Sequence, residues 1–294
     1  MITTENYIKK LGIGTVQFGL DYGISNTKGK VKANEVEQIL RLAKMRSISF
    51  LDTARAYGDS ETVLGECMTN DFDTSFKVIS KLSPAAQDIH QEIQISLNNL
   101  QTGRIYGYLF HNFETFKENP SLWKQLEKIK TENKVEKIGF SLYYPAELEI
   151  LFEKNIDFDI LQIPYNLFDR RFEPYFQELK TRNIEIHIRS VFLQGLFFMD
   201  NKKLSSHFVP AFEKLYHLHT LAEKHQLQKA TLPLFFVLNN PDIDITLLGL
   251  SGVSNLQQNL SVVEEFEKVF SLHLDFSIFE EQNENIILPF LWKK

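Results

Sequence analysis

Eight short runs dominated by Val, Ile, Leu and Phe recur along the chain, at residues 13–18, 50–54, 77–81, 105–111, 137–141, 160–166, 184–190 and 245–251. Most are continuously apolar rather than alternating, the pattern expected of strands buried on both faces of a parallel sheet. Between them the period changes to that of helices. Residues 33–46 set Val36, Ile39, Leu40 and Ala43 at i, i+3, i+4 and i+7, one apolar stripe. Residues 87–100 do the same with Ile89, Ile93, Leu97 and Leu100. Asn119 as N-cap and Pro120 at the first helical position start a helix over 120–130. Helices over 145–153, 169–181, 210–225 and 230–239 follow, so the interval before the last strand carries one extra element. The run 232–238 reads as core despite Pro233.

Alternating strands and helices with no Pro/Gly/Ser-rich linker predict one domain over 1–294, with residues 271–294 as a C-terminal tail. Eight β-α units with right-handed crossovers predict an α/β fold, a (β/α)8 TIM barrel. The rival is a doubly wound open sheet, whose dinucleotide fingerprint wants Gly-x-Gly-x-x-Gly and then a helix. Gly12 and Gly14 are instead followed by Thr15, Val16 and Gln17 with no helical pattern at once. With 294 residues, 43% hydrophobic, the chain can bury a large core. A net charge of -6 argues against broad nucleic-acid or anionic-membrane binding, leaving room for a local basic site. One cysteine, Cys67, forms no internal disulfide, and neither an export signal nor a membrane span is visible; a cytoplasmic protein is expected.

In such a barrel the chemistry collects at the C-terminal ends of the strands. There the chain places Asp52 and Tyr57 after the second strand, Lys81 at the end of the third and His111 at the end of the fourth. The strands are otherwise apolar, so Asp52 and Lys81 enter a partly buried rim and are expected to pair. The set suits proton transfer to a carbonyl oxygen. A tyrosine of ordinary pKa, about 10, is a weak acid that a nearby ammonium would lower. Lys81 would do this for Tyr57, Asp52 would hold Lys81, and His111 would orient the substrate oxygen. Taken singly, each has a plainer explanation: a turn or cap aspartate, a solvated lysine, a half-buried histidine, a turn tyrosine. His217 and His219 lie two apart on a helix and share no face, so no metal site is expected.

The stretches LGIGT at 11–15, FLDTA at 50–54, Tyr57-Gly58, ISK at 79–81, LFH at 109–111, IGFS at 138–141, Leu161-Gln162 and the segment 249–260 resemble the aldo-keto reductases, across all eight strands from about 11 to 264. The resemblance implies a tetrad of Asp52, Tyr57, Lys81 and His111, with Tyr57 as general acid and a nicotinamide cofactor, NADP(H) or NAD(H), across the barrel mouth. It places cofactor contacts at Gly14, Thr15, Ser141, Gln162, Arg189, Ser190, Phe192, Gly195, Gly249, Leu250, Ser251, Asn255, Gln258 and Asn259. Two positions depart from the family. Leu142 replaces an Asn after the carboxamide-binding serine, and Arg189 replaces the ring that stacks under nicotinamide. A guanidinium plane also stacks, and its charge favours the reduced ring. In the last segment Ser251 and backbone N–H groups at a helix start would receive phosphate. Yet Gly249, Gly252 and Asn255 stand where basic residues are usual, no Lys or Arg occurs between Lys229 and Lys268, and Glu264 and Glu265 follow. The charge-assisted contacts that select a 2'-phosphate are missing there.

The expected activity is reduction of an aldehyde or ketone, or the reverse, by a monomer or weak homo-oligomer. Asn112, where relatives carry Trp, and a rim of Gln17, Asp21, Tyr22, Ser25, Asn26 and Lys28 fit a hydroxylated substrate such as a sugar or sugar derivative. Two other classes stay open: a nicotinamide-nucleotide-binding sensor or accessory protein with little turnover, and a lyase or aldolase using Lys81 as a Schiff base. The aromatic tail, with Phe276, Phe279, Phe290 and Trp292, is read as packing, with a lid as the alternative.

Overall fold

Each strand brings a hydrophobic backbone segment whose two faces both find cover, one toward the barrel axis and one beneath a helix. The computed structural model describes residues 3–23, 26, 29–68, 76–200 and 204–292. Strands β1 (Leu11–Gly14), β2 (Phe50–Asp52), β3 (Lys77–Lys81), β4 (Ile105–Phe110), β5 (Val135–Ser141), β6 (Ile160–Pro164), β7 (Glu185–Arg189) and β8 (Ile245–Gly249) close in sequence order. All pairs are parallel, and β1 meets β8 through Leu11–Thr246 and Gly14–Gly249. The result is the (β/α)8 barrel that the alternation of elements predicts.

The helices close around it by the expected stripes. On Ala33–Met45, residues Val36, Ile39, Leu40 and Ala43 have no exposed surface; burying each larger apolar side chain contributes about 1.5–3 kcal/mol. Helices Ile89–Asn99, Pro145–Glu153, Phe212–Lys224 and Thr231–Leu238 fall where predicted, within two or three residues at their ends. Of residues 232–238 all but the half-buried Phe236 are buried. The interval 169–181 is shorter in helix than expected, a 3-10 turn at Glu173–Tyr175 and one α-helix at Phe176–Thr181. Ser121–Thr131 starts one residue late, with Pro120 as its N-cap.

Two departures matter for the site. The first strand ends at Gly14 rather than 18, and Val16–Gly19 forms a helical turn. Gly19 explains why: a Cβ there would lie 1.8 Å from the Tyr57 carbonyl oxygen, and one on Gly58, at φ +59°, would lie 2.5 Å from the Gly19 oxygen. The turn is therefore pressed against the Tyr57-Gly58 segment, a contact that periodicity does not encode. The second is the helix Ser60–Met68, whose buried face is Ser60, Glu61, Leu64, Gly65 and Cys67. That mixture makes no apolar stripe. Burial also pushes the Cys67 thiol up to about 11.

The tail packs only in part as expected, with Phe290 exposed and Phe276 half-buried. Phe279 and Trp292 are buried, and the Trp292 indole donates to the Ile286 carbonyl. No helix among the described residues is long and apolar enough to cross a membrane.

Candidate active site

At the C-terminal mouth of the barrel lies a cavity of about 820 Å3, large enough for an extended ligand. Asp52, Tyr57 and His111 line it, with Lys81 directly behind. The four side chains expected to act together are thus brought together. Lys81 Nζ donates to Asp52 Oδ2 at 2.6 Å and to the Thr53 carbonyl at 3.0 Å, and lies 3.4 Å from Tyr57 Oη. Both members of the Lys81–Asp52 pair are buried, Lys81 with no exposed surface. The pair is therefore deeper than the half-wet rim expected of it. Burial lowers the Lys81 ammonium below its ordinary range, and Asp52 opposes that shift. The second Asp52 oxygen accepts from Gln162 Nε2 at 2.6 Å.

A layer of hydroxyls fixes the turn that carries Tyr57. Thr15 Oγ1 donates to the Asp52 carbonyl and lies 2.8 Å from Ser60 Oγ, which donates back to the Thr15 carbonyl at 2.9 Å. Thr53 Oγ1 donates to the same Ser60 oxygen. Below it the buried Glu61 accepts from Ser80 Oγ at 2.6 Å and from Asn99 Nδ2 at 3.1 Å, and pairs with Arg55. A hydrogen bond made out of reach of water contributes about 1 kcal/mol, and losing one partner costs more.

The electrostatics correct one expectation. Tyr57 is raised from its ordinary value, first by burial and then by the Asp52 charge, with Arg189 acting the other way. The ammonium does not lower it as the sequence suggested: burial of the phenol dominates, and Asp52, paired with Lys81 at 2.6 Å, pushes in the same direction. The phenol accordingly keeps its proton. Burial, Lys81 and Arg189 together hold the His111 imidazole down to about 3. It faces Tyr57 edge-on at 5.6 Å, neutral, and its buried Nδ1 has no hydrogen-bond partner.

Most expected cofactor positions line the same cavity: Gly14, Thr15, Ser141, Gln162, Arg189, Ser190, Phe192, Gly195, Gly249, Ser251, Asn255, Gln258 and Asn259. Leu250 does not; it is fully buried away from the cavity, packed in the core behind β8. The Thr15 hydroxyl is committed to Asp52 and Ser60 rather than to the cavity. The Arg189 guanidinium carbon lies over the Tyr143 ring, 4.0 Å from its centroid, and Nη2 donates to the Leu142 carbonyl at 2.9 Å. Around it Ser190, Leu193, Gln194 and Gly195 all take positive φ, a cluster of strained backbone of the kind that accompanies ligand-binding loops.

At the far end of the cavity, Ser251 Oγ and N both donate to Asn255 Oδ1. The helix Val253–Val263 starts there, and its Val253 N–H donates to Glu35 Oε1 at 3.2 Å. A carboxylate from Ala33–Met45 therefore already serves the helix start where a phosphate was expected.

Of the polar rim, Gln17, Tyr22 and Asn26 line the cavity; Asp21 does not, and Ser25 and Lys28 lie outside the described residues. Asn112 is an N-cap instead of a rim residue: its Oδ1 accepts from Thr115 N and Oγ1, both at 2.9 Å. Sequence reasoning missed Tyr143, Phe198, Gln228, Lys229 and Ala230, which also line the cavity. They sit in loops, at the end of the 3-10 segment Leu193–Phe198 and just before the helix Thr231–Leu238, where no periodic signal points to them. No described tail residue lines the cavity, although Phe290 packs on Tyr143 at 4.8 Å. Among the described residues no group of three or more His, Cys, Asp and Glu could hold a metal ion.

Three buried acceptor or donor atoms in the cavity wall lack partners: Gln162 Oε1, Gln17 Oε1 and His111 Nδ1. Buried polar atoms are ordinarily satisfied, so these mark where a bound molecule completes the site. The NH2 of a carboxamide would donate to the two amide oxygens.

The fold recurs in solved structures. A putative aldo-keto reductase from Pseudomonas aeruginosa is 21% identical with a TM-score of 0.64, the match covering 88% of this chain and 90% of that one. A holo-form aldo-keto reductase from Bacillus halodurans is 19% identical with a TM-score of 0.68, over 90% and 91%. One from Klebsiella pneumoniae, in complex with NADP and acetate, is 19% identical with a TM-score of 0.66, over 95% and 94%. No curated protein matches the sequence significantly. The model of the Aldo/keto reductase family matches residues 10–271, from the start of the barrel to beyond its last strand. With that match running through every strand that carries the site, the chain belongs to the aldo/keto reductase family.

Proposed function

We propose that the protein is a nicotinamide-dependent oxidoreductase that reduces an aldehyde or ketone to an alcohol, or runs the reverse, with Tyr57 as the proton donor and acceptor. The observation that carries this is the Tyr57 phenol 3.4 Å from an ammonium that Asp52 anchors at 2.6 Å, at the wall of the cavity. When bound, the nicotinamide supplies or takes the hydride. The Klebsiella aldo-keto reductase binds NADP, which supports the same class of cofactor here.

The chain's own residues do the rest. Gln162, held by Asp52, offers its free Oε1 to a carboxamide, beside Ser141. Arg189 gives a flat cation on the cavity wall. Tyr57 delivers its proton to the developing alkoxide, and Lys81 compensates the phenolate that remains. Neutral His111 hydrogen-bonds the same oxygen without competing for the proton. Glu35 occupies the helix start and no basic residue lies in 249–260, so contact with a 2'-phosphate falls to Lys229, a cavity-lining cation outside that segment, and both NADH and NADPH are accepted. The polar rim of Gln17, Tyr22 and Asn26 suits a hydroxylated substrate such as a sugar derivative.

The test is single-turnover oxidation of bound reduced cofactor by a panel of carbonyl compounds, in wild type and Tyr57→Phe. The expected result is a Tyr57-dependent step, slowed about 10^2–10^4-fold in the variant, with nucleotide affinity unchanged within twofold. A nucleotide-binding protein without turnover would show no such step in either.

A further inference from the structure

Arg189 is a cation without a carboxylate. It lines the cavity, half-buried, and no Asp or Glu among the described residues comes within salt-bridge distance of it. One Nη2 hydrogen goes to the Leu142 carbonyl, and the guanidinium carbon lies over the Tyr143 ring, 4.0 Å from its centroid. Nε and Nη1 have no acceptor among the described residues, which leaves donors for a two-point contact. Asp52 is the one carboxylate among the described lining residues, and both its oxygens are taken, by Lys81 and by Gln162. His111 contributes no charge to offset the guanidinium. The reacting end of the cavity thus carries an uncompensated positive charge. Its field reaches Tyr57, His111 and Lys81, each of which is shifted in part by Arg189.

A half-buried guanidinium with donors unspent is open to an anion, and its planar donor set matches carboxylate and phosphoryl oxygens best. From this geometry we propose that the carbonyl substrate carries an anionic oxygen group, a carboxylate or a phosphoryl, which Arg189 receives while the carbonyl faces Tyr57 and His111. A plane and an edge are separate surfaces, so this contact is compatible with a ring lying against the guanidinium. Tyr22, whose phenol accepts from Gln194 Nε2 at 2.8 Å, and Asn26 provide polar wall for the hydroxyls of such a compound. The inference rests on the carbonyl-reductase reading and names the substrate class of that site.

The experiment compares kcat/KM for glucuronate against glucose and for glyceraldehyde 3-phosphate against glyceraldehyde, in wild type, Arg189→Gln and Arg189→Lys. The first pair tests a carboxylate and the second a phosphoryl group. Nucleotide affinity is titrated by fluorescence in all three proteins. In wild type at least one anionic member is expected to exceed its neutral partner by about tenfold or more. In Arg189→Gln that ratio falls below threefold, and Arg189→Lys keeps part of it. Equal ratios in wild type, or a ratio that survives in Arg189→Gln, overturn the proposal. So does a variant that loses nucleotide affinity alone, since the charge then serves the cofactor. If wild type binds nucleotide but turns over neither pair, calorimetric binding of glucuronate and of glyceraldehyde 3-phosphate to the nucleotide complex decides. Binding lost in Arg189→Gln supports the anion site while the reductase reading falls; no binding overturns both.

Discussion

At the scale of single residues, the site separates charge from acidity. Burial and the Asp52 charge keep Tyr57 protonated, and Lys81, paired with Asp52, lies 3.4 Å from the phenol. His111 is held down to about 3, chiefly by burial and then by Lys81 and Arg189. It is therefore neutral throughout the range in which an ordinary histidine, near 6.5, changes charge. The pH dependence of kcat/KM is expected to show no limb between pH 5 and 8 that disappears in His111→Gln. A limb near pH 6.5 that the substitution removes would mean the imidazole is solvated in the working enzyme. Which residues form this unit was legible from sequence, because strand-end position and residue type single out Asp52, Tyr57, Lys81 and His111. The direction of the Tyr57 shift was not, because it depends on how deeply the phenol is buried and on how close Asp52 lies.

At the scale of elements, caps and close approaches decide what each loop offers. Asn112 follows the histidine and looks like substrate rim, yet its side chain closes the first turn of Phe113–Glu118. Asn112→Ala is expected to cost about 1 kcal/mol in denaturant unfolding while changing kcat/KM less than twofold; a large rise in KM with unchanged stability would restore it to the substrate site. The start of Val253–Val263 is a second case. Glu35 reaches it from another helix, and a carboxylate beside an incoming phosphate is repulsive. Glu35→Gln is expected to shift affinity toward NADPH over NADH by about tenfold, about 1.4 kcal/mol, read by fluorescence titration. An unchanged ratio would show that the 2' position lies elsewhere.

At the scale of the whole molecule, the barrel keeps its chemistry at one end and a charged plug near the other. Glu185, at the start of β7, accepts from Tyr106 Oη at 2.7 Å and from Lys137 at 2.5 Å, and meets His187 Nε2 at 3.1 Å. Burial raises its carboxyl, but the hydrogen bonds from His187, Lys137 and Tyr106 outweigh it and hold it at about 2, below the ordinary 4.5. A carboxyl lowered on folding stabilises the protein above its unfolded value and loses that contribution as pH falls through the folded one. The stabilisation, about 3 kcal/mol as an order of magnitude, is complete above about pH 4.5 and fades toward pH 2. The Tm of wild type is expected to fall more steeply over that window than that of Glu185→Gln. Parallel curves would mean the plug contributes no pH-dependent stability.

The sequence by itself determined the barrel and singled out Asp52, Tyr57, Lys81 and His111, which the barrel mouth brings together. Eight apolar runs separated by helical stripes leave a closed parallel sheet as the arrangement that buries both faces of every strand, and strand-end polar residues then have one mouth to meet at. It also determined that the nucleotide segment lacks basic residues. Tertiary structure decided what depends on distances between segments remote in sequence. Gly19 against Tyr57, Glu35 at the start of Val253–Val263, Gln162 on Asp52 and Arg189 on Tyr143 join residues about 40 to 220 positions apart. Periodicity reports the face a residue turns toward the core, which is a local property of its own element. Whether a charge on that face meets a partner, and so whether it is spent or free to hold a ligand, is fixed only when the barrel closes.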